Sequence, residues 1–226
     1  MINYTIKPLC LGHILRPKNN MIYQSEDNSK IQFPLIAYYA EWGNHKILID
    51  TGGAAPDGKR WMPYTRTVGE SMEAQLKKIR VRPEEIDAVI LTHLHWDHAG
   101  NNQLFPNAKF YVQSKEAADL HKPGVDTALV EKTPYTLIYG DTDLFPGVRL
   151  VLAPGHSPGM QCVLIQTAQG EVMLTGDLLP LYENWESKMP NGVFYDLDVI
   201  NSSILKVSRL CSRILPGHDS KVFEPI

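Results

Sequence analysis

The stretch Thr92-His93-Leu94-His95-Trp96-Asp97-His98-Ala99-Gly100 follows directly on the apolar run Ala88-Val89-Ile90-Leu91. Three imidazoles and a carboxylate crowded at the end of a strand gain little from one another as folding material, and a shared cation is the economical reason for them. In an extended segment residues i and i+2 point the same way. His93 and His95 can therefore grip one ion, while Asp97 and His98, on the turn that follows, face elsewhere. That division predicts two neighbouring divalent metals, built where a buried strand ends.

The rest of the chain repeats this pattern of an apolar strand ending in a chemically equipped turn. Of the eight histidines, residues 93, 95, 98, 156 and 218 all stand at strand ends followed by turn residues. His156 and His218 taken singly read as ordinary hydrogen-bonded loop histidines. Jointly they carry more, because each follows an apolar strand and adjoins a glycine that lets the backbone come close. Asp177, in Thr175-Gly176-Asp177, could cap the segment after it; beside the histidine cluster, a carboxylate bridging the two metals is the favoured reading. Asp50, in Leu48-Ile49-Asp50-Thr51-Gly52, is expected to orient a ligand histidine from behind.

Taken in order, residues 4–12 read as an edge strand and 16–30 as a polar, mobile loop of insertion type. Strand-like runs at 31–42 and 46–49 flank Gly43-Asn44, a hairpin signal. The loop 54–66 carries Trp61, Met62, Pro63 and Tyr64, bulk that suits a pocket wall. Val68, Met72, Leu76 and Ile79 stand at helical spacing over 68–80. A helical turn at 82–86 leads into the strand 88–91. Another strand is expected at 109–112, with Ser114 as the N-cap of a short helix, and 123–136 has no clear pattern.

The strand 148–153 runs into Pro154-Gly155-His156-Ser157-Pro158-Gly159, and a second hairpin turns at Ala168-Gln169-Gly170. After a bulky loop over 178–193 with Tyr182 and Trp185, an amphipathic helix spans 197–211, with Asp196 or Asp198 at its start. A last strand, 213–215, ends in Pro216-Gly217-His218. Two half-domains follow from this order, each a sheet covered on its outer face by helices and packed sheet to sheet. That is an α/β, four-layer αββα sandwich formed by residues 1–226 as a single domain.

Composition narrows the function. At 226 residues and 43% hydrophobic the chain can bury a large core, and its net charge of -3 provides no basic field for nucleic acid. Cys10, Cys162 and Cys211 are too widely spaced for a disulfide framework or a thiolate zinc site and read as buried reduced thiols. With no apolar stretch near the ~18 residues of a membrane span and no secretory leader, the cytoplasm is the expected compartment. Expected partners are a small-molecule substrate and, at most, a second copy of the chain.

The motifs Leu48-Ile49-Asp50-Thr51-Gly52, His93-x-His95-x-Asp97-His98, Gly155-His156-Ser157-Pro158-Gly159, Thr175-Gly176-Asp177 and Pro216-Gly217-His218, in this order, resemble the metallo-β-lactamase superfamily over essentially the whole chain. The resemblance implies that His93, His95 and His156 hold one metal. Asp97, His98 and His218 would hold the other, and Asp177 would bridge them; zinc is the ion expected from all-His/Asp ligation. Within the superfamily the chain is most similar to the N-acyl homoserine lactonases, through Glu183-Asn184 and Pro216-Gly217-His218-Asp219.

That branch implies opening of a small lactone by a hydroxide held between the two ions, with Asp97 passing a proton to the leaving oxygen. A tyrosine three residues after the bridging aspartate belongs to the pattern, and here Pro180 stands there. Either Tyr182, two residues on, reaches over the carbonyl, or the substrate differs. The alternatives are another hydrolase of the same fold acting on a cyclic amide, thioester or other ester, and an iron-dependent redox enzyme. Flavodiiron proteins, which belong to the redox class, usually have glutamate where His95 stands.

Overall fold

The computed structural model describes residues 2–56 and 63–224. The first half of the chain builds one sheet from β1 (Thr5–Pro17), β2 (Lys30–Trp42), β3 (His45–Ile49), β4 (Tyr64–Thr65), β5 (Ala88–Ile90), β6 (Lys109–Gln113) and β7 (Tyr135–Ile138). The second half builds another from β8 (Thr142–Phe145), β9 (Val148–Leu152), β10 (Gln161–Thr167), β11 (Gly170–Gly176) and β12 (Ile214–Pro216). Strand order is β4-β1-β2-β3-β5-β6-β7 in the first and β12-β11-β10-β9-β8 in the second. Both expected hairpins are present, β2 with β3 and β10 with β11.

Alternation along the strands explains the layering. Ile36, Tyr38 and Ala40 of β2 face inward with Ile47, Ile49 and Ile90 to meet Leu150, Val163, Ile165 and Leu174 of the second sheet. Leu35, Ala37 and Tyr39 face the other way, with Leu48, Val89 and Val112, onto Met72 and Leu76 of helix α1 (Met72–Lys78). On the far side Val151, Cys162, Leu164 and Met173 meet Ile200, Ile204 and Val207. Those last three lie on a long helix, Leu197–Leu210. The result is the αββα sandwich, and because both faces of each sheet are covered, its central strands read as unbroken apolar runs rather than as alternating ones.

Four expectations need correction. Strand β1 continues to Pro17 and is flanked by β4 as well as β2. The segment expected to be a mobile loop is anchored: Met21 and Ile22 are buried, and Tyr23 N–H donates to Pro190 O at 2.9 Å. Val68 is 92% exposed and precedes α1, which starts only after Ser71 accepts from Ala74 N–H. Ser114 is the first residue of helix α2 (Ser114–Ala117) and caps nothing; Gln113 holds the N-cap position without a side-chain bond.

The unpatterned segment contains a short helix, α3 (Thr127–Val130), and β7; the bulky loop contains α4 (Tyr182–Ser187). Helix α5 is the long one at Leu197–Leu210, capped by Asp196, whose Oδ1 accepts from Val199 N–H at 3.0 Å. Cys162 and Cys211 are buried and reduced, whereas Cys10 is only half-buried. No helix among the described residues is long and apolar enough to cross a membrane.

Candidate metal centre

The sheets set the site by where their strands stop. Strands β3, β5 and β6 run parallel to one another, as do β11 and β12. Two antiparallel steps, through β10, make β9 run with β11. All six therefore release their C-terminal turns at one rim, which is where Asp50, His93, Glu116, His156, Asp177 and His218 lie. The turns after β3 and β5 are stitched together by Thr51 N–H to His98 O (2.6 Å) and Gly100 N–H to Gly52 O (2.8 Å). After β9 the chain passes so close to the long helix α5 that a Cβ on Gly155 would stand 2.4 Å from Ile200 Cα. Only glycine fits there.

Three ring nitrogens converge at one point: His95 Nδ1 lies 3.0 Å from both His93 Nε2 and His156 Nε2. Asp97, His98 and His218 form a second group, with donor atoms all within 4.8 Å of one another. Asp177 stands between the groups, with Oδ2 3.3 Å from His156 Nε2 and Oδ1 2.9 and 3.2 Å from His218 and His98 Nε2. Each carboxylate oxygen thus addresses one group.

The opposite edges of four rings are spoken for. His93 Nδ1 meets Thr92 Oγ1 (3.1 Å) and His98 Nδ1 meets Asp50 Oδ2 (2.8 Å). His156 Nδ1 meets Val193 O (2.7 Å) and His218 Nδ1 meets Pro34 O (2.8 Å). Such partners fix the tautomer and leave Nε2 as the free lone pair. Buried inside, His98 Nε2 and Asp177 Oδ1 have no aligned hydrogen-bond partner despite their proximity. Two orphaned buried polar atoms facing each other are costly, and cations between the rings would satisfy both. The donor set fits a pair of divalent ions.

At His98 burial is outweighed by Asp177 and Asp50, which raise the ring well above the ordinary histidine range, so a cation there would take the place of a proton. Burial, reinforced by the neighbouring imidazoles, pushes His93 well below the ordinary histidine range, and burial with His156 brings His95 down to about 4. Both rings are neutral and ready to ligate near neutral pH. Burial opposes ionisation of Asp177, yet His218, His98 and His156 outweigh it and hold the carboxyl well below its usual range. Asp97 is likewise lowered, burial being outweighed by His98 and then by Arg16 at the end of β1.

Asp50 does what the sequence suggested and more. Its Oδ1 accepts from Thr92 N–H (2.7 Å) and its Oδ2 from Thr92 Oγ1 (2.8 Å) as well as from His98. It does so from a left-handed backbone, φ 62°, a strain of a kind found at functional sites.

Tyr182 lies on the segment that follows the Asp177 turn. It opens α4 half-buried, packed against the apolar cluster of the second sheet's outer side. Burial and then Asp219 raise its hydroxyl. The helix start is held by Tyr182 N–H donating to Asp219 Oδ2 (2.9 Å), one residue after His218. In the expected pocket wall, Trp61 and Met62 lie outside the described residues. Tyr64 is buried edge-on to Trp96, and its hydroxyl donates to Leu11 O.

Two supporting residues, Glu116 and Asn191, escaped the sequence reading, and a third, Asn184, entered it only through the family resemblance. Glu116 is fully buried and accepts from Leu94 N–H (3.0 Å), Ser157 Oγ (2.7 Å) and Gly159 N–H (3.0 Å), while Lys122 Nζ pairs with it at 2.6 Å. It thereby clamps the His93–His98 turn to the His156 turn. Asn191 Nδ2 donates to Asp177 O (2.9 Å), and Asn184 Nδ2 donates to Met21 O (2.9 Å) and Met189 O (3.0 Å). Only a glutamate at the start of a helix after a strand hinted at the first. A groove of about 830 Å³ lies among Ile2, Phe145, Arg149 and Gln166 at the other end of the second sheet, so chemistry rather than volume locates the site.

A fold of two sheets between helices, with a His/Asp double cluster at one rim, defines a class, and comparison agrees. The profile of the metallo-beta-lactamase superfamily matches residues 37–218, and the chain belongs to that superfamily. It is 32% identical over 207 residues to an N-acyl homoserine lactonase of Bacillus cereus, covering 84% of this chain and 82% of that protein. A solved quorum-quenching N-acyl homoserine lactone hydrolase superposes with a TM-score of 0.87 at 28% identity, over 99% of this chain and 95% of the other. Another such hydrolase, at TM-score 0.86 and 27% identity, covers 98% and 95% and holds N-hexanoyl-L-homoserine at its catalytic metal centre.

Proposed function

We propose that this chain is a dinuclear metal-dependent lactonase that opens N-acyl homoserine lactones. The observation that carries the reading is the pair of donor groups joined by Asp177, in a chain similar to lactonases over most of its length. His93, His95 and His156 would hold one ion, Asp97, His98 and His218 the other, with Asp177 shared; zinc suits these donors. When bound, such a pair supplies a water acidic enough to ionise near neutral pH and polarises a carbonyl.

The remaining tasks fall to the chain. Asp50, Thr92 and the carbonyls of Pro34 and Val193 orient the imidazoles, and Glu116 keeps the two turns in register. Asp97, ionised near neutral pH, is the carboxylate suited to carry a proton to the leaving alkoxide. Tyr182, half-buried at the start of α4 beside Asp219, is the hydroxyl proposed to meet the oxyanion. Pro180, standing where the lactonase pattern has a tyrosine, favours as a second reading a related cyclic ester, thioester or cyclic amide as substrate.

The test is acid release from N-hexanoyl-L-homoserine lactone and from a panel of other lactones, thioesters and lactams by zinc-loaded protein. Expected are chelator-sensitive opening of the acyl homoserine lactone and its loss in Asp177→Ala. Preference for a thioester or lactam would move the assignment to the second reading. Stoichiometric iron with oxygen consumption would replace hydrolysis with redox chemistry.

A further inference from the structure

Next to the β4 edge of the first sheet, a β-bulge in β1 brings together a thiol, an imidazole and a carboxylate, none of them a member of the cluster described above. Cys10 pairs with Ile36 and His13 with Pro34, so three steps along β1 match two along β2. In a regular strand residues i and i+3 point to opposite faces, and the extra residue of a bulge restores them to the same side. Gly12 makes the bulge, at φ +103°, where a Cβ would meet Thr65 O at 2.6 Å. Buried Leu11 and Ile14 pack with Met72 and Leu76 on the helix-covered face, and half-buried Cys10 and His13 lie together on the opposite face.

The third member comes from the turn ahead of α1. Glu70 Oε2 accepts from Thr67 N–H (2.7 Å) and Thr67 Oγ1 (2.9 Å). That capping box holds the carboxylate so that Oε1 is presented to the strand, 3.7 Å from Cys10 Sγ and 3.5 Å from His13 Nδ1. The three donor atoms lie within 4.8 Å of one another.

We propose that Cys10, His13 and Glu70 form a separate, mononuclear site for a borderline-soft divalent ion of zinc's class. Zinc bonds of about 2.3 Å to sulfur and about 2.0–2.1 Å to nitrogen and oxygen imply tetrahedral edges of about 3.5 Å for S···O and about 3.3 Å for N···O. The observed separations lie close to both edges. As a hydrogen bond, by contrast, the His13–Glu70 distance exceeds the ordinary ~2.7–3.2 Å, and the thiol's other contact, to Gly12 O, is 4.0 Å. A thiolate and an imidazole select zinc, cobalt or copper over magnesium and calcium. The half-buried setting leaves a fourth position for water, and the second oxygen of Glu70 is already oriented from behind, as in built metal sites. An ion there would tie β1 to the turn that starts α1, while His13 pairs with Thr65 of β4.

Cobalt(II) is the probe that separates this site from the dinuclear one, which contains no sulfur. Cobalt-loaded holoenzyme should show thiolate-to-cobalt charge-transfer absorption in the near ultraviolet, and about three ions per chain after dialysis, against about two for a chain with the dinuclear pair alone. In Cys10→Ser the absorption should vanish and the third ion be lost, with lactone hydrolysis and cooperative melting retained. Glu70→Gln, which leaves the strand untouched, should weaken cobalt binding at this site at least tenfold. Absence of the thiolate band in the wild-type protein, or its persistence in Cys10→Ser, would overturn the proposal. The band reports on sulfur alone, so it stands or falls independently of whether the lactonase reading holds.

Discussion

Asp50 shows how much a single residue can hold in this protein. It spends one oxygen on the backbone after β5 and the other on Thr92 and His98, all from a left-handed backbone. Asparagine tolerates that conformation, so Asp50→Asn isolates the carboxylate's charge from backbone strain. The expected outcome is a 10–100-fold fall in metal affinity or in hydrolysis, read by competitive chelation and steady-state rates. An unchanged affinity would mean that His98 is oriented by packing alone. Asp50 was legible in the sequence because it ends an apolar strand beside Thr51-Gly52. Tyr182 was legible only as a residue near Asp177 along the chain, since sequence distance does not give the direction in which a helix start turns its ring.

At the scale of elements, Glu116 belongs to α2 yet acts on two other turns, through Leu94, Ser157 and Gly159. Burial pushes its carboxyl up, but Lys122 and these donors outweigh burial and hold it below the ordinary value. A depressed carboxylate contributes stability that is present above its unfolded value, about 4.3, and lost as pH falls through the lower folded one. Breaking this buried pair by Glu116→Gln should cost about 3 kcal/mol. In a chain of this size that is a melting temperature lower by roughly 6–12 °C. Differential scanning calorimetry between pH 7 and pH 3 would check both: the gap between variant and wild type should narrow towards acid, and a gap independent of pH would contradict the electrostatic account. No pattern in the sequence announces this clamp, since a glutamate early in a helix is ordinarily a solvated residue that complements the helix dipole.

The whole molecule is two sheets held together by an apolar interior and, at one rim, by a polar seam. Tyr38 Oη donates to Pro216 O (2.6 Å) and Gln161 Nε2 to Leu91 O (2.8 Å) across it. The proposed ligands divide between the halves, with His93, His95, Asp97 and His98 on one and His156, Asp177 and His218 on the other. Ions there would link the two sheets. Removing them with dipicolinate should therefore abolish hydrolysis and lower stability by about 4 kcal/mol if they bind at a thousandfold over Kd, seen as an earlier melt that zinc restores. A melt indifferent to chelation would mean that the apolar interior alone joins the halves.

By itself the sequence determined the layered class, both hairpins, the two main helices and the roster of histidines and aspartates at strand ends. Each of these is local: apolar period, turn residues, and chemistry placed where a strand stops. Tertiary structure alone decided the distances at which those residues meet, which partner fixes the far edge of each ring, and that Glu116 clamps the turns. It also decided that a bulge at Gly12 would bring Cys10 and His13 to one side. Strand order and bulge geometry set direction and distance in space, and neither is written in the spacing of residues along the chain.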